Sequence, residues 1–192
     1  MEHVPREPLL DVGRVLPILD KISIFGGLSE TQLYRIFQQL KKVNYDANEL
    51  IFHQGDHPSY IYIVLAGRVR LVFDVDDHPL SKTELDQGAC FGETSLIGVQ
   101  SHSASAVAVE DTELLVLSGE TLSLFFEQDK TLFSMLILNI AREASRRLHQ
   151  TDELLLHYLH EGHLHEVEPI LDMVEPRAQL AQRDDRRDQD VV

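Results

Sequence analysis

The sequence predicts a mainly β fold: an antiparallel jelly-roll barrel with flanking helices and a long helix at the C-terminal end. Three observations carry this expectation. Between Val43 and Leu117, short β-branched and aromatic runs alternate with Gly- and Asp-containing turns, the rhythm of many short antiparallel strands. Helical periodicity brackets that stretch on both sides. The last periodic segment, from Asp129 to His160, is too long to be covered by one small β domain.

Taken in order, the stretch up to Gly27 is amphipathic, with Leu9, Leu10, Val12, Val15, Leu16, Ile18 and Leu19 as apolar positions. Pro17 interrupts it, so one short helix or two fragments are expected. Ser29 is a cap residue ahead of SETQLYRIFQQLKKV. There Leu33, Ile36, Phe37 and Leu40 fall at i, i+3, i+4 and i+7, one helical face. The strand candidates are ELIFHQ, YIYIVLAG, RVRLVFDV, PLSKTEL, SASAVAV and TELLVLS, punctuated at Gly55-Asp56, Ala66-Gly67, Asp76-Asp77 and Gly88. GETLSLFFEQD then reads as a short helix and residues 129–160 as one long helix.

Within that helix Ile137, Ala141, Ala144, Leu148, Thr151, Leu155 and Tyr158 step by 4, 3, 4, 3, 4, 3, an a/d seam. A partner helix is expected to cover it, and a symmetric homodimer supplies one most simply. The predicted organisation is an N-terminal amphipathic extension (1–21), a barrel with flanking helices (22–128), a dimerisation helix (129–160) and an acidic tail (161–192). In the tail, HEVEPILDMVEPRAQLAQ offers a short amphipathic piece, while QRDDRRDQDVV is nearly free of apolar residues.

Composition narrows the function classes. Lys and Arg total 17 against 32 Asp and Glu, a formal charge of −15, whereas duplex binding depends on a basic surface that releases counterions. Nucleic acid is therefore not the expected partner. There is no basic start followed by an apolar run and no stretch of membrane-spanning length, so a cytoplasmic chain without a membrane span is expected. Cys90 is the only cysteine, which excludes an intrachain disulfide.

The stretch CFGETSLIGVQSHSASA, residues 90–106, carries the chemistry. Gly92, lacking a Cβ, lets the backbone approach a ligand after Phe91. A helical turn over Thr94, Ser95 and the residues after them would point free N–H groups at an anion. Glu93 cannot bind phosphate, but its carboxylate suits hydroxyl donors such as a ribose 2′-OH. Ser103 and the backbone at Ala104 offer further donors. The stretch contains no Arg or Lys.

This arrangement resembles the phosphate-binding cassette of the cyclic nucleotide-binding domain family. IFGGLSETQLYRI resembles the family's entry helix, and NELIFHQGD, YIYIVLAGRVRL and the turn from Gly88 to Glu93 resemble its successive strands. REASRRLHQTDELL resembles the dimerisation helix of regulators of the catabolite activator type. The resemblance covers roughly residues 22–158. It implies that Glu93 holds the ribose, that Ser103 assists at the phosphate, and that Thr151 reaches the adenine, with Asp152 in place of a neighbouring serine. It implies cAMP or cGMP as the ligand.

Two departures stand out. The family's Pro-Arg is replaced by Ser101-His102, so a permanent planar cation becomes an imidazole that is charged only near or below about pH 6.5. The short acidic stretch after the helix cannot build the winged helix-turn-helix of the transcription-factor relatives, so the resemblance is to the sensor half alone.

The remaining signals have plainer readings. His157, His160, His163 and His165 include an i, i+3 pair able to chelate zinc, yet such clusters are usually solvated faces, and no metal is expected. Cys90 reads as a small buried filler. Thr151 serves equally well as a polar position fixing helix register, and His102 as a tolerated surface residue of an inactive pocket. No nucleophile–base arrangement is legible, so no enzyme is expected. Two functions follow: a bacterial regulatory module that senses a cyclic nucleotide and signals through its dimer helix to a protein partner, or a ligand-free domain of the same descent acting as a dimeric interaction scaffold.

Overall fold

Local chemistry sets the helical entry. The computed structural model describes residues 7–8, 13, 15–75 and 78–160, with side chains for 13, 15–73, 83–153 and 155–157. The segment containing Pro17 forms two short 3-10 turns, Leu16–Lys21 and Ser23–Phe25, which bury Ile18, Ile24 and Phe25. The two-fragment alternative is the one adopted. Helix α1, Glu30–Phe37, is closed by a capping box in which Ser29 Oγ accepts from the Gln32 N–H and the Gln32 side chain accepts from the Ser29 N–H.

Helix α1 is shorter than the sequence predicts. Its expected last turn, Lys41-Lys42-Val43, instead opens a strand at Lys41–Tyr45. Val43 and Tyr45 point inward with a period of two, and all five residues pair with the strand at Thr112–Ser118. Sheet pairing outweighs an extension of the helical pattern whose last apolar position is Leu40.

The strands are β1 (Glu7–Pro8), β2 (Lys41–Tyr45), β3 (Leu50–Phe52), β4 (Tyr60–Ala66), β5 (Val69–Val75), β6 (His78–Leu85), β7 (Cys90–Phe91), β8 (Ser105–Ala108) and β9 (Thr112–Ser118). They pair as two antiparallel sheets, β1-β2-β9-β4-β7 and β3-β8-β5-β6. The jelly-roll expectation is thus met as two antiparallel sheets with helices; pairing among the described strands does not extend to a closed barrel.

Strands β4 and β9 are buried on both faces, which is why YIYIVLA and TELLVLS read as near-continuous apolar runs. On one face Ile61, Ile63, Leu65, Leu115 and Leu117 join a core built with the N-terminal turns and helices. On the other, Tyr62, Val64, Leu114 and Val116 meet Phe52, Val69, Ala106 and Ala108 of the second sheet. Cys90 is a buried filler in the first core, as expected.

Helix α3 (Gly119–Gln128) is capped by Ser118, whose Oγ accepts from the Thr121 N–H. Before α4 (Lys130–His160), Asp129 accepts from the Leu132 N–H at 3.0 Å and pairs with Arg35 at 2.5 Å. The face of α4 that enters the core is Leu132, Leu136, Asn139 and Ile140. Asn139 Nδ2 donates to the carbonyls of Ile24 (3.1 Å) and Gly26 (2.8 Å), and its Oδ1 accepts from Arg142.

The a/d seam is a different face. Ile137 and Ala144 are half-buried, Ala141 and Thr151 are exposed, and Leu148 and Leu155 keep 63% and 51% of their surface. The side chain of Tyr158 lies outside the described residues. Packing divides the chain within α4, into one unit ending at Arg146 and another beginning at Arg147. The predicted acidic tail and Leu9, Leu10 and Val12 also lie outside the described residues. No described helix is long and apolar enough to cross a membrane.

Candidate functional site

The site begins at a backbone bend. Strand β7 hydrogen-bonds to β4, with Phe91 opposite Tyr62 and Cys90 opposite Ile63. Gly92 then turns left-handed at φ 80°. A Cβ there would stand 3.0 Å from the Tyr60 carbonyl oxygen and 3.1 Å from the Tyr62 ring. Conformation and space both demand glycine. The bend feeds helix α2, Glu93–Gly98, matching the predicted turn. Glu93 and Ser95 are buried and Thr94 is exposed.

The chain leaves α2 through Val99, also left-handed at φ 51°, and re-enters the core at His102. His102 is only 5% exposed, which corrects its reading as a tolerated surface residue. Its backbone is held from both sides by the turn after β3: its N–H donates to the Asp56 carbonyl at 3.0 Å, and its carbonyl accepts from the Gly55 N–H at 2.8 Å. Its ring lies flat on Phe52, with centroids 3.7 Å apart and planes at 11°. Phe52 in turn approaches Tyr62 (5.5 Å) and Phe91 (6.0 Å), while Tyr62 and Phe91 stack at 5.0 Å.

Burial pushes the His102 imidazole below its ordinary range; the nearby His57 adds to this, and the Asp56 carboxylate opposes it. The ring is therefore neutral at pH 7. Beyond it Ser103 is exposed, Ala104 is buried, and Ser105 Oγ accepts from the Gln54 N–H at 2.8 Å.

Phe52 thus brings the two ends of the predicted cassette together, touching Phe91 on one side and His102 on the other. Thr151 and Asp152 are exposed on α4 in the unit that begins at Arg147, and Thr151 Oγ1 donates to the Arg147 carbonyl at 2.9 Å. Sequence reasoning missed Phe52, Asp56, His57 and Tyr62 as neighbours of the cassette. The signal available was the alternation in IFHQGD and YIYIV, which aims Phe52 and Tyr62 to the same inter-sheet core. Of the histidine cluster, His157 is exposed, whereas His163, His165 and the side chain of His160 lie outside the described residues. Among the described residues no group of three or more metal-ligating side chains occurs.

Comparison with known proteins agrees with this geometry. The model of the cyclic nucleotide-binding domain matches residues 42–129. The Cyclic AMP receptor protein of Thermus thermophilus is 33% identical over 130 residues, 67% of this chain and 58% of its own. Human cGMP-dependent protein kinase 2 is 29% identical over 136 residues, 67% of this chain and 18% of its own. The crystal structure of Thermus thermophilus Catabolite Activator Protein superposes with a TM-score of 0.63 at 34% identity, covering 71% of this chain and 62% of that one. The chain spans less than two thirds of the length of each of these relatives. The family match, with the bend at Gly92 and the buried Glu93 inside the matched stretch, identifies residues 42–129 as a cyclic nucleotide-binding domain.

Proposed function

We propose that this chain is a regulatory sensor that binds a cyclic nucleotide, cAMP in the first instance and cGMP as the alternative, and relays occupancy through a homodimer helix to a protein partner. The observation that carries this reading is the Phe91-Gly92-Glu93 bend, where a left-handed, closely packed glycine delivers a buried carboxylate into the first turn of α2. Glu93 takes the ribose hydroxyl. Main-chain N–H groups from Gly92 to Ser95, together with Ser103 and Ala104, take the phosphate, and His102 assists. The assignment of Thr151 and Asp152 to the base rests on the resemblance alone. Exposed Leu148 and Leu155 support the dimer, and the name of the Thermus relative supports cAMP.

Without arginine the site forgoes a charge-assisted bond of about 1.5–3 kcal/mol, so affinity falls roughly 10–150-fold below that of a site that has one. Calorimetry with millimolar cAMP and cGMP tests the reading. Heat of binding is expected with at least one nucleotide and tighter binding in His102→Arg; no heat from either protein overturns it. Sedimentation equilibrium is expected to give a dimer that Leu148→Asp dissociates, and a monomeric parent chain overturns the relay.

One observation favours a second reading, the ligand-free scaffold. The Phe52–His102 stack fills space from inside the cassette. Outside it, Ile97, Leu122, Phe126, Phe133 and Ile137 line an open apolar groove of about 400 Å³ suited to a protein partner. Absence of binding together with an intact dimer supports that alternative.

A further inference from the structure

The charge of the cassette has an uncommon source. Residues 50–59 and 90–108, which hold the Phe52–His102 stack, contain no Lys or Arg. The side chains there that can become cations are the imidazoles of His53, His57 and His102. Of these, His53 and His57 belong to the turn after β3, and His102 is the one seated among the inter-sheet rings. We propose that the cassette is a proton-gated anion site, in which a cyclic nucleotide diester binds together with one proton taken up by His102. This rests on the cyclic-nucleotide reading and adds the regulation of that site.

The geometry supports it from each side of the ring. The uncharged face of Phe52, from β3, offers a buried imidazolium no counter-anion. From the following turn, the Asp56 carboxylate is, among the described residues, the anionic group that favours the charged ring, and its Oδ2 already accepts from the His53 N–H at 3.0 Å. His57, from the same turn, opposes a second positive charge. A charged His102 in the empty site therefore lacks a strong partner. A diester brought to the neighbouring main chain supplies one. Protonation then favours binding, and binding favours protonation by the same factor, as linkage requires.

The direction follows. Above the pKa of the liganded state the ring is neutral in both forms, and affinity does not change with pH. Between the liganded and empty values, each unit of acidification tightens binding up to about tenfold. Below the empty-state value affinity levels off. The burial that holds the empty-state value down widens this window on its acid side.

Isothermal titration of the full chain with cAMP and with cGMP from pH 5.5 to 8.5, in buffers of different ionisation enthalpy, counts the protons taken up. Uptake approaching one per nucleotide, and affinity rising several-fold per unit toward acid, are expected. His102→Gln should abolish both, His57→Gln should keep them, and His102→Arg should bind tightly with no pH slope. Because a substituted core residue can fail to fold, the His102 imidazole resonances of the unaltered chain, titrated with and without cAMP, give the same answer: an upward shift on binding is expected. Binding without proton uptake, or a slope that survives in His102→Gln, overturns the proton gate while leaving the nucleotide reading standing. No binding by the parent chain or His102→Arg at any pH overturns both.

Discussion

The bend at Gly92 allows a paired test, because Gly55 supplies its own control. Both residues are left-handed, Gly92 at φ +80° and Gly55 at φ +88°. Putting alanine into that conformation costs about 1–2 kcal/mol, of which ~0.4–1 kcal/mol is returned by the lower entropy of the unfolded chain. Gly55→Ala meets nothing within 4 Å and should lose only this net amount. Gly92→Ala adds a methyl 3.0 Å from the Tyr60 carbonyl of a central strand and 3.1 Å from the Tyr62 ring. Neither gives easily, since Tyr62 stacks on Phe91 and Tyr60 pairs with Ser118. Overpacking of this kind costs about 1–3 kcal/mol.

The total for Gly92→Ala is therefore about 2–4 kcal/mol, which for a chain of this size lowers Tm by roughly 5–15 °C. Urea unfolding of the two variants beside the parent measures both numbers. Equal losses within about 0.5 kcal/mol, or a Gly92→Ala loss below ~1 kcal/mol, would show that close packing does not dictate glycine at the bend.

Three further outcomes are expected. Asn139→Ala strands the carbonyls of Ile24 and Gly26 and should cost about 2–4 kcal/mol in a urea titration; a loss under 1 kcal/mol would mean water replaces the amide. Val99→Gly relieves a β-branched residue held at φ 51° with 82% of its surface in solvent, and should raise stability by ~0.5–1 kcal/mol, a gain read from the urea midpoint. Because the folded His102 pKa lies below the unfolded value of about 6.5, the unfolded chain takes up a proton that the ligand-free folded chain refuses. The contribution of His102 to stability should therefore be intact above about pH 6.5 and be lost as pH falls through the folded pKa, a slope that His102→Gln removes when melting is compared at pH 7.5 and 5.5.

What the sequence disclosed follows from the range of the forces involved. Caps and glycine turns are local, so Ser29 and the Gly92 bend could be read directly. The two runs buried on both faces were legible as strands because they lacked polar interruptions. The Lys41–Tyr45 strand reads as helix in the sequence because the pairing that spans its full length is with residues about seventy positions away. Along α4 the a/d seam was visible, but the core-facing set of Leu132, Leu136, Asn139 and Ile140 was not separated from it, since both repeat at helical spacing. His102 was found by its place in the motif. Its burial was hidden because Phe52, fifty residues earlier, provides the surface on which it lies.

Asn139 has one more implication. With its amide gripping two carbonyls of the Ile24–Gly26 turn, the opening half of α4 cannot slide or roll without dragging that turn along. A spin label or fluorophore on that turn would therefore register displacement of this half of the helix.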